Sequence, residues 1–417
     1  MIKFIRRGTI LSFLFSFSAL VSAQTNYQVS VMSWNLLNFP DQSALAADTT
    51  DRCPAYRSVM QYAQPDILVT VENTSANGAS IILSNVMNTY GKHYAEGTFI
   101  NGYDTDNAIY YRDSIFQFIS NVPISTPLRD ISHFTLKFIP TGDTLHIFAA
   151  HLKAGLGYES DRAVEVTLLR QVTDAFPAGT NFLAAGDFNI YTTTEPCYQD
   201  FLYNSGTNEG YFLDPISVTG TYNNSAYSNY HTQSTRLTSI GGGAGGGLDD
   251  RFDMILHSKG VHDPGGIYFL SSSYHPIGND GNHYNQSVNN GTNAAVPMDV
   301  ANALYTASDH LPVILSLEIG LTSGMQYPDE EVTSMHIFPN PVEQNCYVEF
   351  SLKKTSELKF ALSDPMGRLC LASEKMKFEA GKSVYEVLFP ESLPEGLYFL
   401  TISGETLQKS IPVMLVR

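Results

Sequence analysis

Three residues that suit phosphate chemistry each lie at the end of a short apolar run in this chain. Glu72 directly follows such a run, Asp187 follows another after one glycine, and His151 closes a third. The runs have the length and composition of buried strands. Side chains at strand ends can meet at one edge of a sheet while the strands hold them rigidly. We therefore expect these three side chains to lie close together.

The residue types at these strand ends match the needs of phosphate-ester hydrolysis. Carboxylate oxygens are the ligands that Mg²⁺ and similar hard cations prefer, and a histidine that titrates near neutral pH can activate water. Asn35, Asn189, Asp309 and His310 also lie next to predicted strands and add amide, carboxylate and imidazole groups. The sequence therefore predicts a metal-dependent phosphoesterase.

Each of these features is ordinary when it stands alone. Ser308-Asp309-His310 is typical of a loop or a helix cap, and Gly186-Asp187-Phe188-Asn189 is typical of a turn. A carboxylate such as Glu72 is most often a surface residue. The prediction of a catalytic centre rests on the whole ordered set.

The segments that must position these residues are strands interspersed with helices and long loops. The predicted strands span residues 27–35, 67–71, 108–111, 134–139, 145–152, 182–185, 252–256 and 313–317. The predicted helices span residues 52–64, 78–90 and 161–176. Two long polar loops are predicted at residues 203–247 and 271–298. The glycine run 241–247 is predicted to be a flexible loop, and it lacks the Gly-Lys-Ser/Thr of a nucleotide-binding P-loop.

The composition is that of an acidic globular protein. The 417 residues carry a formal net charge of −17, with 43% apolar and 16% charged residues. This charge argues against a basic groove that clamps a polyanion, so metal ions and a few local Arg or Lys residues must supply any positive field. Four cysteines are too few for a disulfide scaffold, and pairing of Cys53 with Cys197 stays open.

The chain divides into four predicted segments. Residues 1–23 have a basic start, a short apolar run and small residues before position 24, which predicts a cleaved secretory signal; the alternative is an uncleaved membrane anchor, for which the run is short. Residues 24–320 form the predicted catalytic domain. Residues 321–332 are the predicted linker, and residues 333–417 have the short alternating segments of a small β-sandwich. No later run is long enough to span a membrane.

Several short motifs in the predicted catalytic domain resemble the endonuclease/exonuclease/phosphatase superfamily, which includes the deoxyribonuclease I-like enzymes. They occur in the order typical of that family and cover about residues 27–318. The motifs are Ser33-Trp34-Asn35, Asp66-Ile67 through Glu72, Asn107 through Arg112, His151-Leu152-Lys153, Gly186-Asp187-Phe188-Asn189, Arg251-Phe252-Asp253 and Ser308-Asp309-His310. The resemblance implies an α+β fold, a four-layer α/β sandwich with two central, mostly antiparallel sheets.

The same resemblance implies a metal site. Glu72 is expected to be the principal Mg²⁺ ligand, with Asn35 and Asp309 nearby; Mn²⁺ or Ca²⁺ are alternatives.

It also implies catalytic roles for the remaining motif residues. Asp187 and Asn189 are expected to flank the nucleophilic water and the phosphate. His310 is expected to be the base or a phosphate contact, oriented by Asp253. His151 is expected to contact the scissile phosphate or to assist the leaving group.

Arg112 and two departures from the family pattern qualify the resemblance. Arg112 is expected to contact the phosphate, with a surface ion pair as the alternative. Val71 stands before Glu72 where the family often has Gln. His151 is followed by Leu-Lys-Ala instead of the Ser-Ala-Pro of close deoxyribonuclease I relatives, which weakens a specific prediction of DNA as the substrate.

The C-terminal segment resembles the sorting domain of the Bacteroidetes type IX secretion system. The resemblance rests on residues 337–341, 364–368 and 393–399. It implies a partnership with that secretion machinery, export across the outer membrane and then release or surface attachment. A generic adhesive β-sandwich is the alternative.

The predicted function is therefore a secreted, metal-dependent phosphodiesterase, and the first choice of substrate is extracellular nucleic acid. The alternatives are a phospholipid head group, as in sphingomyelinases, or a phosphomonoester. A non-catalytic surface binding module is the alternative from another class of protein.

Overall fold

The computed structural model describes residues 26–40, 49–263, 265–320, 332–352, 354–364, 368–404 and 408–417. The predicted signal segment 1–23, the predicted linker up to residue 331 and residues 365–367 of the tail motif lie outside the described residues. The chain separates into two compact units, with the division between residues 322 and 323.

The first unit mixes strands and helices along the chain, as its predicted α+β class requires. The strands are β1 (Asn26–Phe39), β2 (Ile67–Asn73), β3 (Tyr94–Glu96), β4 (Asp106–Arg112), β5 (Phe116–Asn121), β6 (Ser132–Phe138), β7 (Thr144–His151), β8 (Phe182–Asp187), β9 (Phe212–Leu213), β10 (Asp253–Ser258), β11 (Ile267–Phe269), β12 (His275–Pro276) and β13 (Val313–Gly320). The helices are α1 (Thr49–Ala63), α2 (Ala76–Asn85), α3 (Glu159–Thr173), α4 (Pro196–Leu202), α5 (Lys259–His262) and α6 (Met298–Ala307). Short 3₁₀ turns follow at Met87–Thr89 and Ser225–Tyr230.

Two sheets carry the described strands of this unit. The first has the order β11-β13-β1-β2-β4-β3, with β12 also paired to β13. The second has the order β5-β6-β7-β8-β10-β9. Strands β1 and β2 are parallel, strands β7 and β8 are parallel, and the other pairs are antiparallel. The predicted pair of mostly antiparallel sheets is confirmed.

Three hydrophobic cores separate the layers. One joins the first sheet to α1, α2 and α6 and contains Trp34 and Leu304. A second lies between the two sheets and contains Ile147, whereas its neighbour Phe148 belongs to a third core between the second sheet and α3 and α4. The central strands are buried on both faces, which is why their sequences are nearly continuous apolar runs. The layers are helix, sheet, sheet and helix, as predicted.

The helix predictions differ from the structure mainly at their ends. The predicted helix 78–90 ends at Asn85, and a 3₁₀ turn completes the segment. Helix α6 is not among the predicted helices; it is a ten-residue helix that begins after Pro297, at the end of the predicted polar loop. Helix α6 packs with α1 over the first sheet and leads directly into Ser308.

The second unit is all β, as predicted. Its strands are β14 (Val332–Phe338), β15 (Asn345–Leu352), β16 (Ser356–Ser363), β17 (Leu369–Ala372), β18 (Met376–Phe378), β19 (Gly381–Leu388), β20 (Gly396–Ser403) and β21 (Gln408–Leu415). In the described residues, β14-β15-β19 form one sheet and β17-β16-β20-β21 the other, with β18 on β16. A core that includes Val348, Phe360 and Leu400 fills the space between them.

The cysteines and the helices add two observations. Cys53 lies in the core on the helix side of the first sheet and Cys197 in the core on the helix side of the second, and no disulfide joins them. Among the helices of the described residues, none has the length and hydropathy that a membrane crossing requires.

Candidate active site

The two parallel strand pairs bring four polar side chains together. Asn35 lies in β1 beside Val71 of β2, and Glu72 is the next residue. His151 at the end of β7 is in register with Asp187 at the end of β8. Because the carboxyl ends of parallel strands point the same way, each pair presents its polar residues at one sheet edge. The side-chain amide of Asn35 hydrogen bonds Asp187 across the two sheets, at 3.0 Å, so the two edges meet.

Glu72 occupies a backbone conformation that is rare for a residue with a side chain. Its φ is +60°, in the left-handed region that usually costs about 1–3 kcal/mol outside glycine. Oε1 accepts a hydrogen bond from the Asn35 amide at 2.9 Å, and Oε2 accepts one from the Asn38 backbone at 2.8 Å. Burial, and then the charge of Asp309, raise the pKa of this carboxyl group.

Asp187 depends on the glycine before it. A Cβ on Gly186 would lie 1.9 Å from the Ala150 carbonyl oxygen, so only glycine allows β8 this close to β7. Asp187 accepts hydrogen bonds from the Asn35 amide at 3.0 Å and from the Asn189 backbone at 3.0 Å. Burial is the main cause that raises its pKa to about 7, and nearby carboxylates add to the effect. The charge of His310 lowers the pKa of Asp187, and a further cation beside this carboxyl group would favour its ionised form.

His151 completes a cluster with the two carboxyl groups. Its Nε2 lies 3.8 Å from Oε1 of Glu72 and 3.7 Å from Oδ2 of Asp187. One ligand atom from each of the three residues lies within 4.8 Å of the others, which suits a shared metal ion. Burial, and then the charge of Arg129, lower the pKa of His151 well below its usual range. A neutral imidazole beside two carboxylates is a suitable donor set for a divalent cation.

The predicted metal partners of Glu72 are near it but outside this cluster of three. The Asn35 amide nitrogen donates to both carboxylates, and its oxygen accepts from the Leu37 backbone at 2.9 Å. Asn35 thus bridges the carboxylates in the structure. Asp309 accepts from the Ala244 backbone at 2.6 Å through Oδ2, while its buried Oδ1 has no hydrogen-bond partner. An unsatisfied buried carboxylate oxygen is a further position where a cation fits.

His310 and Asp253 form a buried pair at the same edge. Nδ1 of His310 lies 2.6 Å from Oδ2 of Asp253. Nε2 lies 2.6 Å from the Gln233 side-chain amide and 3.7 Å from Oδ2 of Asp187. Burial lowers the pKa of His310, but the charges of Asp253, Asp309 and Asp187 outweigh it and hold the pKa well above the usual value. The imidazole therefore has an orienting carboxylate on one nitrogen and the carboxylate cluster near the other.

Two sequence motifs lock together to hold His310 in place. The Trp34 indole donates to the His310 carbonyl at 2.9 Å. The Ser308 hydroxyl donates to the Asn35 carbonyl at 2.7 Å and accepts from the His310 backbone at 3.1 Å. The serine and the tryptophan, which have no predicted chemical role, thus position the residues that follow them.

Asn189 lies where the segments after β7 and β8 meet. Its φ is +50°, and its backbone donates to Asp187. Its side-chain amide donates to the Leu152 carbonyl at 3.2 Å, directly after His151. The structure therefore brings together Asn35, Glu72, His151, Asp187, Asn189, Asp253, Asp309 and His310.

Arg112 does not join them, so its predicted placement is corrected. Strands β2 and β4 are antiparallel, and Arg112 lies at the end of β4 that faces the start of β2. Its guanidinium donates to Asp66 at 2.8 Å, the ion pair that was the alternative. Glu72 lies five strand residues away along β2, a span of about 17 Å. The opposite directions of β2 and β4 follow from how the two strands pair, and neither strand's own residues indicate them.

Arg129 is the cation that the structure places beside the site instead. It donates to the His151 carbonyl at 3.4 Å and forms an ion pair with Asp104 at 2.9 Å. Its charge is one cause of the lowered pKa of His151. No motif marked this arginine, which stands in the loop before β6.

The glycine run 241–247 packs against the site as well. The Ala244 backbone holds Asp309, and a Cβ on Gly243 would lie 3.0 Å from both the Asp309 carboxyl carbon and Leu37. A larger residue at position 243 would therefore push the Asp309 carboxylate or the Leu37 side chain out of its present position. The sequence predicted only a flexible loop here.

Comparisons with known proteins bear on both units. The fold resembles several solved structures: zebrafish (D. rerio) TDP2 complexed with single strand DNA product (17% identity, TM-score 0.47, covering 70% of this chain and 98% of that one), the human Nocturnin catalytic domain with bound sulfate (17%, 0.43, 71% and 97%) and an endonuclease/exonuclease/phosphatase from Bacteroides vulgatus (13%, 0.47, 70% and 99%). No curated protein sequence matches the chain. Residues 336–415 match the family model of the secretion system C-terminal sorting domain, which confirms the predicted resemblance of the tail.

Proposed function

We propose that the first unit hydrolyses phosphate diesters with the help of a divalent cation. The observation that carries this proposal is the cluster of Glu72, His151 and Asp187, in which burial raises the pKa of both carboxyl groups and lowers that of the imidazole. Ionised carboxylates this close repel one another unless a cation lies between them. The cluster is therefore better explained as a cation site than as a structural ion pair.

Glu72, Asp187 and His151 would hold the cation, and Asp309, outside this cluster, would support it as a nearby carboxylate through its unpartnered Oδ1, directly or through a water. Mg²⁺ remains the first choice for a carboxylate-rich site, and the imidazole also suits Mn²⁺. When bound, such a cation screens the phosphate charge and stabilises the charge that develops during hydrolysis.

The residues of the chain supply the proton transfer and the orientation. Asp253 accepts a hydrogen bond from Nδ1 of His310. A cation bound among the carboxylates would offset the charges that raise the pKa of His310, and Nε2 of the neutral imidazole would then take a proton from the attacking water where the Gln233 amide now contacts it. Asp187 and Asn189 lie on the same side of the site and orient the water and the phosphate. Arg129, which donates to the His151 carbonyl, would contact the oxygens of the phosphate or of the leaving group. His151, expected from the resemblance to contact the phosphate, would instead hold the cation through Nε2.

Nucleic acid is the substrate that we propose first. In a chain with a net charge of −17, a phosphodiester needs local cations. Lys153 and Arg129, the latter paired with Asp104, are cations that lie next to His151. We further propose that the predicted signal segment 1–23 and the sorting domain direct the chain through type IX secretion, so that the substrate lies outside the cell. The test of export is cell fractionation of a host with this system, in which a chain lacking residues 333–417 should stay in the periplasm.

The test of activity is a substrate panel on the purified full-length chain. Plasmid DNA, RNA, sphingomyelin and p-nitrophenyl phosphate are compared with Mg²⁺, Mn²⁺ or Ca²⁺ and with EDTA. We expect EDTA-sensitive hydrolysis of DNA or RNA, and loss of that hydrolysis in Glu72→Gln. Preferential cleavage of sphingomyelin or the monoester would move the assignment to the lipid or phosphatase alternative. If none of the four substrates is cleaved with any cation, the proposed activity is wrong and the non-catalytic binding module is the remaining alternative.

A further inference from the structure

We propose that the loop Lys153–Tyr158 forms a nucleotide subsite next to the reacting phosphate. Lys153 contacts the neighbouring phosphate of a nucleic acid strand, and Tyr158 stacks on its base. The inference rests on the proposed function and deepens it, because it assigns a binding site for the nucleotide that flanks the scissile bond.

The position of Lys153 carries the first part of this inference. Lys153 follows His151 by two residues, and Leu152 between them is buried in the core under α3. Because side chains alternate along an extended chain, His151 and Lys153 point to the same side. The Lys153 ammonium, two residues along the chain from His151, is placed to contact the phosphate of the neighbouring nucleotide.

The exposure of Tyr158 carries the second part. Its side chain is 45% exposed, and the Lys153 ammonium lies over its ring at 4.0 Å from the centroid. The Lys153 ammonium covers the ring face on which a base would stack. When the lysine side chain turns towards a phosphate, that ring face becomes available to the base. Every base has a flat π-face, so such a platform binds nucleic acid without sequence preference.

The loop is held rigidly from below, which distinguishes it from an ordinary surface loop. Arg162, fully buried, donates to the carbonyls of Lys153 at 2.8 Å and Gly155 at 2.9 Å. Glu195 accepts from two guanidinium nitrogens of Arg162 at 2.9 and 2.8 Å, and Glu165 accepts from the Lys153 backbone at 2.9 Å. A loop fixed in advance loses little conformational entropy when a ligand binds.

A lipid surface is the competing occupant, because Leu156 at the tip of the loop is 72% exposed. One leucine buries too little apolar surface for stable membrane attachment, and the acidic chain is repelled by anionic bilayers. The lysine suits the phosphate of a nucleotide, and the tyrosine suits its base. Nucleic acid is therefore the occupant that the contacts favour.

The experiment measures binding of a fluorescein-labelled oligothymidylate of about eight nucleotides to the full-length chain in EDTA. We expect Tyr158→Ala to weaken binding about 10-fold and Tyr158→Phe to retain it, because a single base stack is lost only in the former. Lys153→Gln should reduce the slope of log affinity against log salt by about 0.7, the value for one single-strand phosphate contact. Tyr203→Ala is the matched control, since Tyr203 is 66% exposed and lies beyond the far end of α3.

Three results would overturn the subsite: no binding by the wild type, equal loss in Tyr203→Ala, or full binding by Tyr158→Ala. A fourth would be binding of the chain to sphingomyelin–phosphatidylcholine vesicles that Leu156→Asp abolishes while oligonucleotide binding is unchanged. Turnover of bis(p-nitrophenyl) phosphate by the wild type is measured separately. Its absence would count against the proposed function, whereas the binding results test the subsite.

Discussion

Asp253→Asn is the substitution that tests the proposed base most directly. Asp253 is fully buried, and its carboxylate lies 2.6 Å from Nδ1 of His310. Asparagine has nearly the same shape but no charge, and its amide can present a donor to Nδ1 and so move the ring proton to Nε2. The variant therefore keeps the packing while it removes the orientation and the charge that make Nε2 a base.

The size of the effect follows from the geometry. A hydrogen bond of 2.6 Å places the charge centres of the two groups about 4 Å apart, which is worth about 4 kcal/mol at the effective dielectric constant of proteins. If that interaction supports the transition state, kcat falls about 1,000-fold. The Michaelis constant should change little, because the phosphate contacts remain. The free energy of unfolding should fall by about 1–3 kcal/mol, as expected for one weakened buried hydrogen bond.

The assay is steady-state hydrolysis of the best substrate from the panel at saturating cation, together with thermal unfolding of each variant. Asp263→Asn is the control, because Asp263 is an exposed carboxylate just beyond the other end of β10 and pairs with Lys259. It should retain activity within about twofold. A kcat for Asp253→Asn within about fivefold of the wild type, in protein that is folded at the assay temperature, would refute the assignment of His310 as the base.

Three further predictions concern the cation, the glycine run and the response to acid. Mg²⁺ or Mn²⁺ at about 100 times its dissociation constant should raise the free energy of unfolding by about 2.7 kcal/mol, measured by calorimetry. An equal gain in Glu72→Gln would contradict the proposed ligands. Gly243→Ala should lower kcat about 10-fold with little change in Tm, because the new Cβ displaces the Asp309 carboxylate; an unchanged kcat would show that the loop yields without moving it. Burial lowers the pKa of His257 to about 4, so the unfolded state binds more protons between that value and 6.5. The contribution of His257 to the free energy of unfolding should be fully present above pH 6.5 and should fall by up to about 3 kcal/mol towards pH 4. His257→Phe should flatten this pH profile in urea unfolding. An unaltered profile would rule out His257 as its source.

The strand ends were predictable because the signals that mark them are local. Buried strands are short apolar runs, and the polar residue that closes each run is visible in the chain itself. Glu72, His151 and Asp187 were found in this way, and the structure brings their side chains within reach of one cation. The family motifs added Asp253 and His310, which are 57 residues apart and lie 2.6 Å from each other.

Arg112 and Arg129 show where local signals are insufficient. Both are single arginines at or near the end of a strand. The adjacent sequence does not indicate at which edge of the sheet that end lies. The antiparallel pairing of β2 and β4 sends Arg112 to Asp66, and the loop before β6 brings Arg129 to His151. The glycine run is a similar case, because its composition predicts flexibility whereas its position next to Asp309 requires close packing.

The sequence by itself determined the residue types, their places at strand ends, the α+β class and the all-β tail, because these depend on periodicity and on motifs that are contiguous in the chain. Only the tertiary structure decided which residues share the site and how they titrate. The hydrogen bond from Asn35 to Asp187 spans 152 residues and depends on how two sheets stack. The pKa of Asp187, about 7, arises from burial and from neighbouring carboxylates on other strands, which no stretch of sequence contains.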